Sequence, residues 1–196
     1  MTPPTERPGP ALAHYARECI RHALGGPRPS PPADLAAAGR LGATFVTLRR
    51  DGELHGCIGT LVARRPLVED VAANAVAAAL EDPRALPLSL AEVDDLDVEV
   101  SILSPLEPIA FASEADALRA LRPGVDGALL RWGRRQGTFL PQVWESLPDP
   151  AEFFANLKLK AGLSPDFWAP GMELYRYTVE KIGEPAVRAR ASMVSA

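Results

Sequence analysis

A thiol, an imidazole and two glycines lie within His55–Gly59 of the stretch Leu54-His55-Gly56-Cys57-Ile58-Gly59-Thr60. Cysteine attacks as its thiolate, so Cys57 as a nucleophile or redox group requires a positive neighbour or a helix N-terminus. On a regular strand His55 and Cys57 share one face, while Leu54 and Ile58 take the other. Two residues span about 7 Å of strand, too far for direct base contact without a kink, which the glycines can supply. Gly56 and Gly59 also admit a ligand or another backbone at close range. The stretch His55, Gly56, Ile58, Gly59 and Thr60 is therefore a candidate ligand-binding edge. The alternative is a small packed thiol between two close backbone approaches.

A second set lies on Asp97-Val98-Glu99-Val100-Ser101-Ile102-Leu103. Alternation puts Val98, Val100 and Ile102 on one face and Asp97, Glu99 and Ser101 on the other. Glu99 is the candidate general acid/base or cation partner, with Ser101 beside it; the alternative is a solvated sheet face. Asn74, Arg84, Gln142 and Lys160 complete the candidate ligand-binding set. Each has a local alternative: Arg84 can pair with Asp82, and Lys160 suits a helix C-terminus.

The elements that must position these residues follow from periodicity. Apolar spacing predicts a helix over 11–24, with Leu12, Tyr15, Ala16, Cys19, Ile20 and Ala23 on its stripe. A Pro/Gly loop follows over 25–34, then a short helical approach over 35–41. Ala43–Arg49 and the stretch from Glu53 form a hairpin about Asp51-Gly52. Pro66 opens a helix to about Glu81, stopped by Asp82-Pro83. After the strand 97–103, Ser113 and Asp116 box a short helix. A hairpin over 128–140, a helix from Pro141 and a helix capped by Asp149 and closed by Gly162 come next. A single strand is predicted over 173–182. The pattern is α+β, with a mixed or antiparallel sheet and flanking helices. The domain spans 11–182, between a flexible arm at 1–10 and a flexible tail at 183–196.

The hydrophobic fraction of 47% and charged fraction of 23% are those of an ordinary globular chain. A net charge of -4 argues against a nucleic-acid surface. No apolar run approaches a membrane span, and the N-terminus lacks a signal-peptide layout, so the chain reads as cytoplasmic, with Cys19 and Cys57 as free thiols.

Several segments together carry a family resemblance. They are Ala43-Thr44-Phe45-Val46-Thr47-Leu48, Asp51-Gly52-Glu53-Leu54, Gly56-Cys57-Ile58-Gly59-Thr60, Asn74-Ala75 and Glu81-Asp82-Pro83-Arg84. Asp97 to Ser104, Asp126-Gly127, Leu140-Pro141-Gln142-Val143, Lys160-Ala161-Gly162-Leu163 and Glu173-Leu174-Tyr175 continue the series. In this order the chain resembles the AMMECR domain family, whose prokaryotic members are called protein A of the AmmeMemoRadiSam system. The resemblance implies a fold with two unequal lobes and a cleft near the signature. It also implies two partners by association: a Memo-like protein, itself similar to non-haem iron dioxygenases, and a radical SAM protein. The family usually has Arg before the first signature glycine, where this chain has His55.

Three histidines far apart, two cysteines and no CxxC pair or HExxH predict no metal site and no bound cofactor. Iron or SAM chemistry would then belong to a partner. Three functions remain open. The first is an accessory domain binding a small molecule around Gly56–Thr60, and the second an enzyme with Cys57 as nucleophile or redox thiol. The third is a protein–protein adaptor.

Overall fold

The structure is a computed structural model that describes residues 9–187. The chain divides into two compact units: one runs to Leu103 and resumes at Glu180, and the other is Ser104–Val179.

The first unit opens with helix α1 (Ala11–Ala23), which buries Leu12, Ala13, Ala16 and Ile20. A short helix α2 (Ala33–Ala38) and a two-residue strand β1 (Leu41–Gly42) lead into β2 (Thr44–Arg50). The turn at Asp51-Gly52 has positive φ at both residues, as a two-residue hairpin requires, and returns the chain as β3 (Glu53–Gly59). Strand β4 (Arg65–Pro66) pairs with β1 and opens helix α3 (Leu67–Leu80). After a 3₁₀ turn over Leu90–Asp95 comes β5 (Leu96–Leu103).

The second unit holds β6 (Glu107–Ile109), α4 (Glu114–Ala120), the hairpin β7 (Gly127–Trp132) and β8 (Arg135–Phe139), α5 (Pro150–Lys160) and β9 (Glu173–Tyr177). Strand β10 (Val179–Glu184) then joins the first unit's sheet. Both four-stranded sheets are open, ordered β10-β5-β2-β3 and β6-β9-β7-β8, and each pairing with a resolved register is antiparallel. The expected α+β class therefore holds. Among the described residues no helix is long and apolar enough to cross a membrane.

Each unit has its own core. In the first, Val46, Leu48, Val98, Val100 and Ile102 pack with Val71, Ala75 and Ala78 of α3 and with the α1 stripe. In the second, α5 buries Phe153, Phe154 and Leu157, and Trp144 stacks on Phe153 at 3.7 Å between centroids. Lys158 is also sealed there, donating from Nζ to Glu114 at 2.8 Å and to the Pro165 carbonyl at 3.0 Å.

Three expectations are corrected. The strand predicted over 173–182 is two strands in different sheets, broken at Thr178, whose carbonyl accepts the Ser104 N–H and whose N–H donates to Ser104 Oγ. The predicted helix from Pro141 is a 3₁₀ turn over Pro141–Glu145. The expected tail begins at Gly183, yet β10 continues to Glu184, whose side chain is 5% exposed. Arg17, itself 1% exposed, explains this: it donates to Glu184 Oε2 at 3.2 Å, to Pro185 O at 3.0 Å and to the carbonyls of Val93 and Leu96 at 2.8 Å. Residues 1–8 of the arm and 188–196 of the tail lie outside the described residues.

Packing of α3 on β3 depends on the absence of a side chain at Gly56. A Cβ there would lie 2.1 Å from the Ala78 carbonyl oxygen, which is backbone and cannot swing aside. Gly56→Ala is expected to destabilise the chain by about 2 kcal/mol or more, read as a lower urea midpoint at unchanged slope.

Candidate functional site

Cross-strand pairing sorts the candidate residues by face. Phe45, Thr47 and Arg49 of β2 stand opposite Gly59, Cys57 and Leu54 of β3, and opposite Ser101, Glu99 and Asp97 of β5. Partners directly opposite share a face. The face away from the helices therefore carries three rows: Gly59–Phe45–Ser101, Cys57–Thr47–Glu99 and Leu54–Arg49–Asp97. Gly56 and Ile58 turn the other way, toward the core with Leu48 and Val46.

The expected alternation fails at His55. Leu48 pairs with Gly56 and Arg49 with Leu54, so His55 is the extra residue of a β-bulge. Leu54 consequently joins the face of Cys57, opposite to expectation, and is exposed. His55 is not on a regular strand position beside Cys57, and its Nε2 is enclosed without a hydrogen-bond partner among the described residues.

Both signature glycines are filled by the protein itself. Gly56 receives the α3 backbone, and a Cβ at Gly59 would lie 2.3 Å from the Phe45 ring. Thr60 and Asn74 serve another purpose. Asp70 of α3 is 1% exposed. Its carboxylate accepts from Thr44 N at 2.9 Å, Thr44 Oγ1 at 2.7 Å, Thr60 Oγ1 at 2.7 Å, Asn74 Nδ2 at 3.0 Å and Arg65 Nε at 2.8 Å.

Arg84 closes the free edge of β3, an outer strand of the sheet. Asp82 accepts the Cys57 N–H at 2.8 Å, and Arg84 Nη2 donates to the Cys57 carbonyl at 3.0 Å and to Asp82 at 2.6 Å. The pair thus occupies the donor and acceptor that an adjoining strand would use. The Arg84 guanidinium, with the Cys57 and Arg84 backbone N–H groups, holds the Asp82 carboxyl well below the usual carboxylate range. In turn Asp82 holds Arg84 above its ordinary value, and the Cys57 thiol adds in the same direction.

On the outer face Thr47 Oγ1 donates to Cys57 Sγ at 3.3 Å. Glu99 pairs with Lys181 Nζ at 3.3 Å. Cys57 and Glu99 are two strands apart, about 10 Å, with Thr47 between them. Beside this row lies a groove of about 390 Å³ lined by Thr47, Arg49, Asp97, Val98, Glu99 and Gly183 to Pro185. Cys19 is buried on α1, and burial pushes its thiol above the usual value.

Gln142 and Lys160 belong to the second unit. Gln142 is exposed on the 3₁₀ turn after β8, and Lys160 ends α5 with Nζ 4.9 Å from the centre of the Phe139 ring. Neither shares a sheet with the other candidates. Sequence reasoning missed Thr47, Arg49, Asp70 and Lys181. Asp70 had a signal, because it lies one turn before Asn74 on the same helix face. Among the described residues no three His, Cys, Asp or Glu side chains group as a metal site.

An α+β chain with this signature on an edge strand defines a class, and comparison specifies it. Residues 13–182 match the sequence profile of AMMECR1. A protein of Methanothermobacter thermautotrophicus is 42% identical over 142 residues, covering 69% of this chain and 72% of its own length. Protein MJ0810 of Methanocaldococcus jannaschii is 37% identical over 180 residues, covering 88% of each chain. The crystal structure of uncharacterized protein PH0010 from Pyrococcus horikoshii superposes with a TM-score of 0.81 at 36% identity, covering 92% of this chain and 93% of that one. The chain belongs to the AMMECR1 family.

The Asp82 clasp has a pH signature. A carboxyl lowered by folding contributes stability that is complete above its unfolded pKa of about 3.9 and is lost as pH falls through the lower folded value. Asp82→Asn is expected to cost about 1–2 kcal/mol at pH 7, with the gap to the unaltered chain closing below pH 4. Urea midpoints measured from pH 7 down to pH 3 check it; a gap independent of pH contradicts the assignment.

Proposed function

We propose that the chain is an accessory domain that binds a small polar molecule on the outer face of the β10-β5-β2-β3 sheet and presents it to a partner enzyme. The observation that carries this reading is the groove beside the Cys57–Thr47–Glu99 row, where a hydroxyl, two carboxylates and a guanidinium converge. Binding sites commonly combine a concave surface with a few directed polar groups. The expected cleft around Gly56–Thr60 is thereby moved one strand over, because Phe45 and α3 fill the space the glycines leave. Gly56 and Ile58 then support the site from below, while Cys57 and Glu99 border it. The partners the resemblance supplies are a Memo-like protein and a radical SAM protein.

One observation favours a second reading, that of Cys57 as a reactive thiol: the Arg84 guanidinium is held at this residue, 3.0 Å from its carbonyl oxygen. The two readings separate experimentally. Incubation of the isotope-labelled full chain with a cellular metabolite extract is expected to shift the amide resonances of Thr47, Asp97 and Glu99. Glu99→Gln should weaken the bound component about tenfold or more, roughly 1.4 kcal/mol. Shifts confined to other surfaces, or none, refute the binding reading. If Cys57 is the working group, Arg84→Gln slows its alkylation several-fold at pH 7; an unchanged rate removes the thiol reading.

A further inference from the structure

We propose that the groove ligand is a small zwitterion carrying both an amine and a carboxylate, of the amino-acid class. This rests on the ligand-binding reading above and names its chemistry. Arg49 and Asp97 face each other directly across β2 and β5 on the groove side. Opposite charges so placed ordinarily pair. Here they do not. Arg49 makes only a long 3.5 Å contact to the Gly52 carbonyl among the described residues. Asp97 accepts the Ala186 N–H on Oδ1 at 2.8 Å, and its other oxygen accepts nothing among the described residues.

The remaining charges around the groove are already matched. Glu99 faces Lys181, and Glu184 faces Arg17 and His14. What is left is one guanidinium and one carboxylate, side by side on neighbouring strands. A simple anion would meet Asp97 and a simple cation would meet Arg49, each at a cost. A molecule with both charges satisfies both groups, its carboxylate on Arg49 and its ammonium on Asp97. Room for its body comes from Gly183, whose missing side chain would have met nothing within 4 Å and would have projected into open space. Pro185 adds apolar wall, and the Val98 backbone lies between Asp97 and Glu99 on the floor. The groove volume of about 390 Å³ exceeds a single amino acid and admits one with a long side chain or a dipeptide.

The test uses the isotope-labelled full chain and a mixture of the free L-amino acids and simple dipeptides, followed by N-acetyl and methyl-ester forms of whichever compound binds. Free zwitterions are expected to shift Thr47, Arg49, Asp97, Glu99 and Gly183. Capping either end should weaken binding at least tenfold. Arg49→Gln and Asp97→Asn should each do the same, while Leu86→Ala, on an exposed side chain elsewhere, changes nothing. The capped probes make the same demand of the unaltered chain, so the answer does not depend on the variants folding. Equal binding of capped and free forms overturns the proposal. If a metabolite extract moves the groove amides and the zwitterions do not, the zwitterion assignment fails and the binding reading stands. Silence toward both overturns both.

Discussion

Asp70 sits in the first turn of α3 with its carboxylate sealed from solvent, and its donors come from four other positions. Thr44 begins β2, Thr60 follows β3, Arg65 lies in β4, and Asn74 is the next turn of the same helix. A buried charge of this kind is tolerable only when its acceptor sites are filled. Here the filling groups are the ones that fix where α3 lies on the sheet. Removing the carboxylate would take an acceptor from the Thr44 N–H and from four side-chain donors at once, and each buried group left unpaired costs about 1–3 kcal/mol. The outer-face rows begin at Phe45, one residue past Thr44. Their register is inherited from this anchor.

The signature stretch looks different once α3 is in place. Glycine at position 56 serves the inner face and glycine at 59 the outer, one admitting helix backbone and the other an aromatic ring. The polar residues capable of recognition stand beside this stretch on β2 and β5. Asp82 and Arg84, from the segment that stops α3, fasten the outer edge of the same strand at Cys57. A conspicuous motif thus marks where the framework is tightest, and the groove proposed as the site lies on the adjoining strands.

Most of the framework was legible from residue pattern. Alternation in Val98-Glu99-Val100-Ser101-Ile102 gave the facing of β5, and Asp51-Gly52 gave the hairpin. The capping box at Ser113 and Asp116 forms in both directions even with the shorter acid. What escaped was non-local. The bulge at His55 depends on register with β2, which no property of residues 53–59 alone reveals. The break at Thr178 was hidden because Glu173–Glu184 keeps strand-like composition through a change of sheet. Nothing in the pattern of residues 11–24 marks Arg17 as buried, yet carbonyls distant in sequence converge on it. The candidate site divides the same way. Glu99 and Ser101 share a face of β5 as alternation predicts, whereas Cys57, Arg49 and Lys181 join them only through pairing across strands.

The change of sheet at Thr178 has a consequence for how the chain is made. The first unit's sheet acquires its β10 edge from residues beyond the whole of the second unit. During synthesis, at about 5–20 residues per second, β5 therefore waits roughly 4–15 s with one edge uncovered while residues 104–179 emerge. The second unit is contiguous and can close as soon as it is out. The first unit's Arg17, already held by the Val93 and Leu96 carbonyls, completes its set of acceptors only when Glu184 and Pro185 arrive. Ribosome order thus makes the inserted unit the earlier to finish and leaves the β10 edge of the first unit's sheet, with Gly183 on it, as the last described part to be assembled.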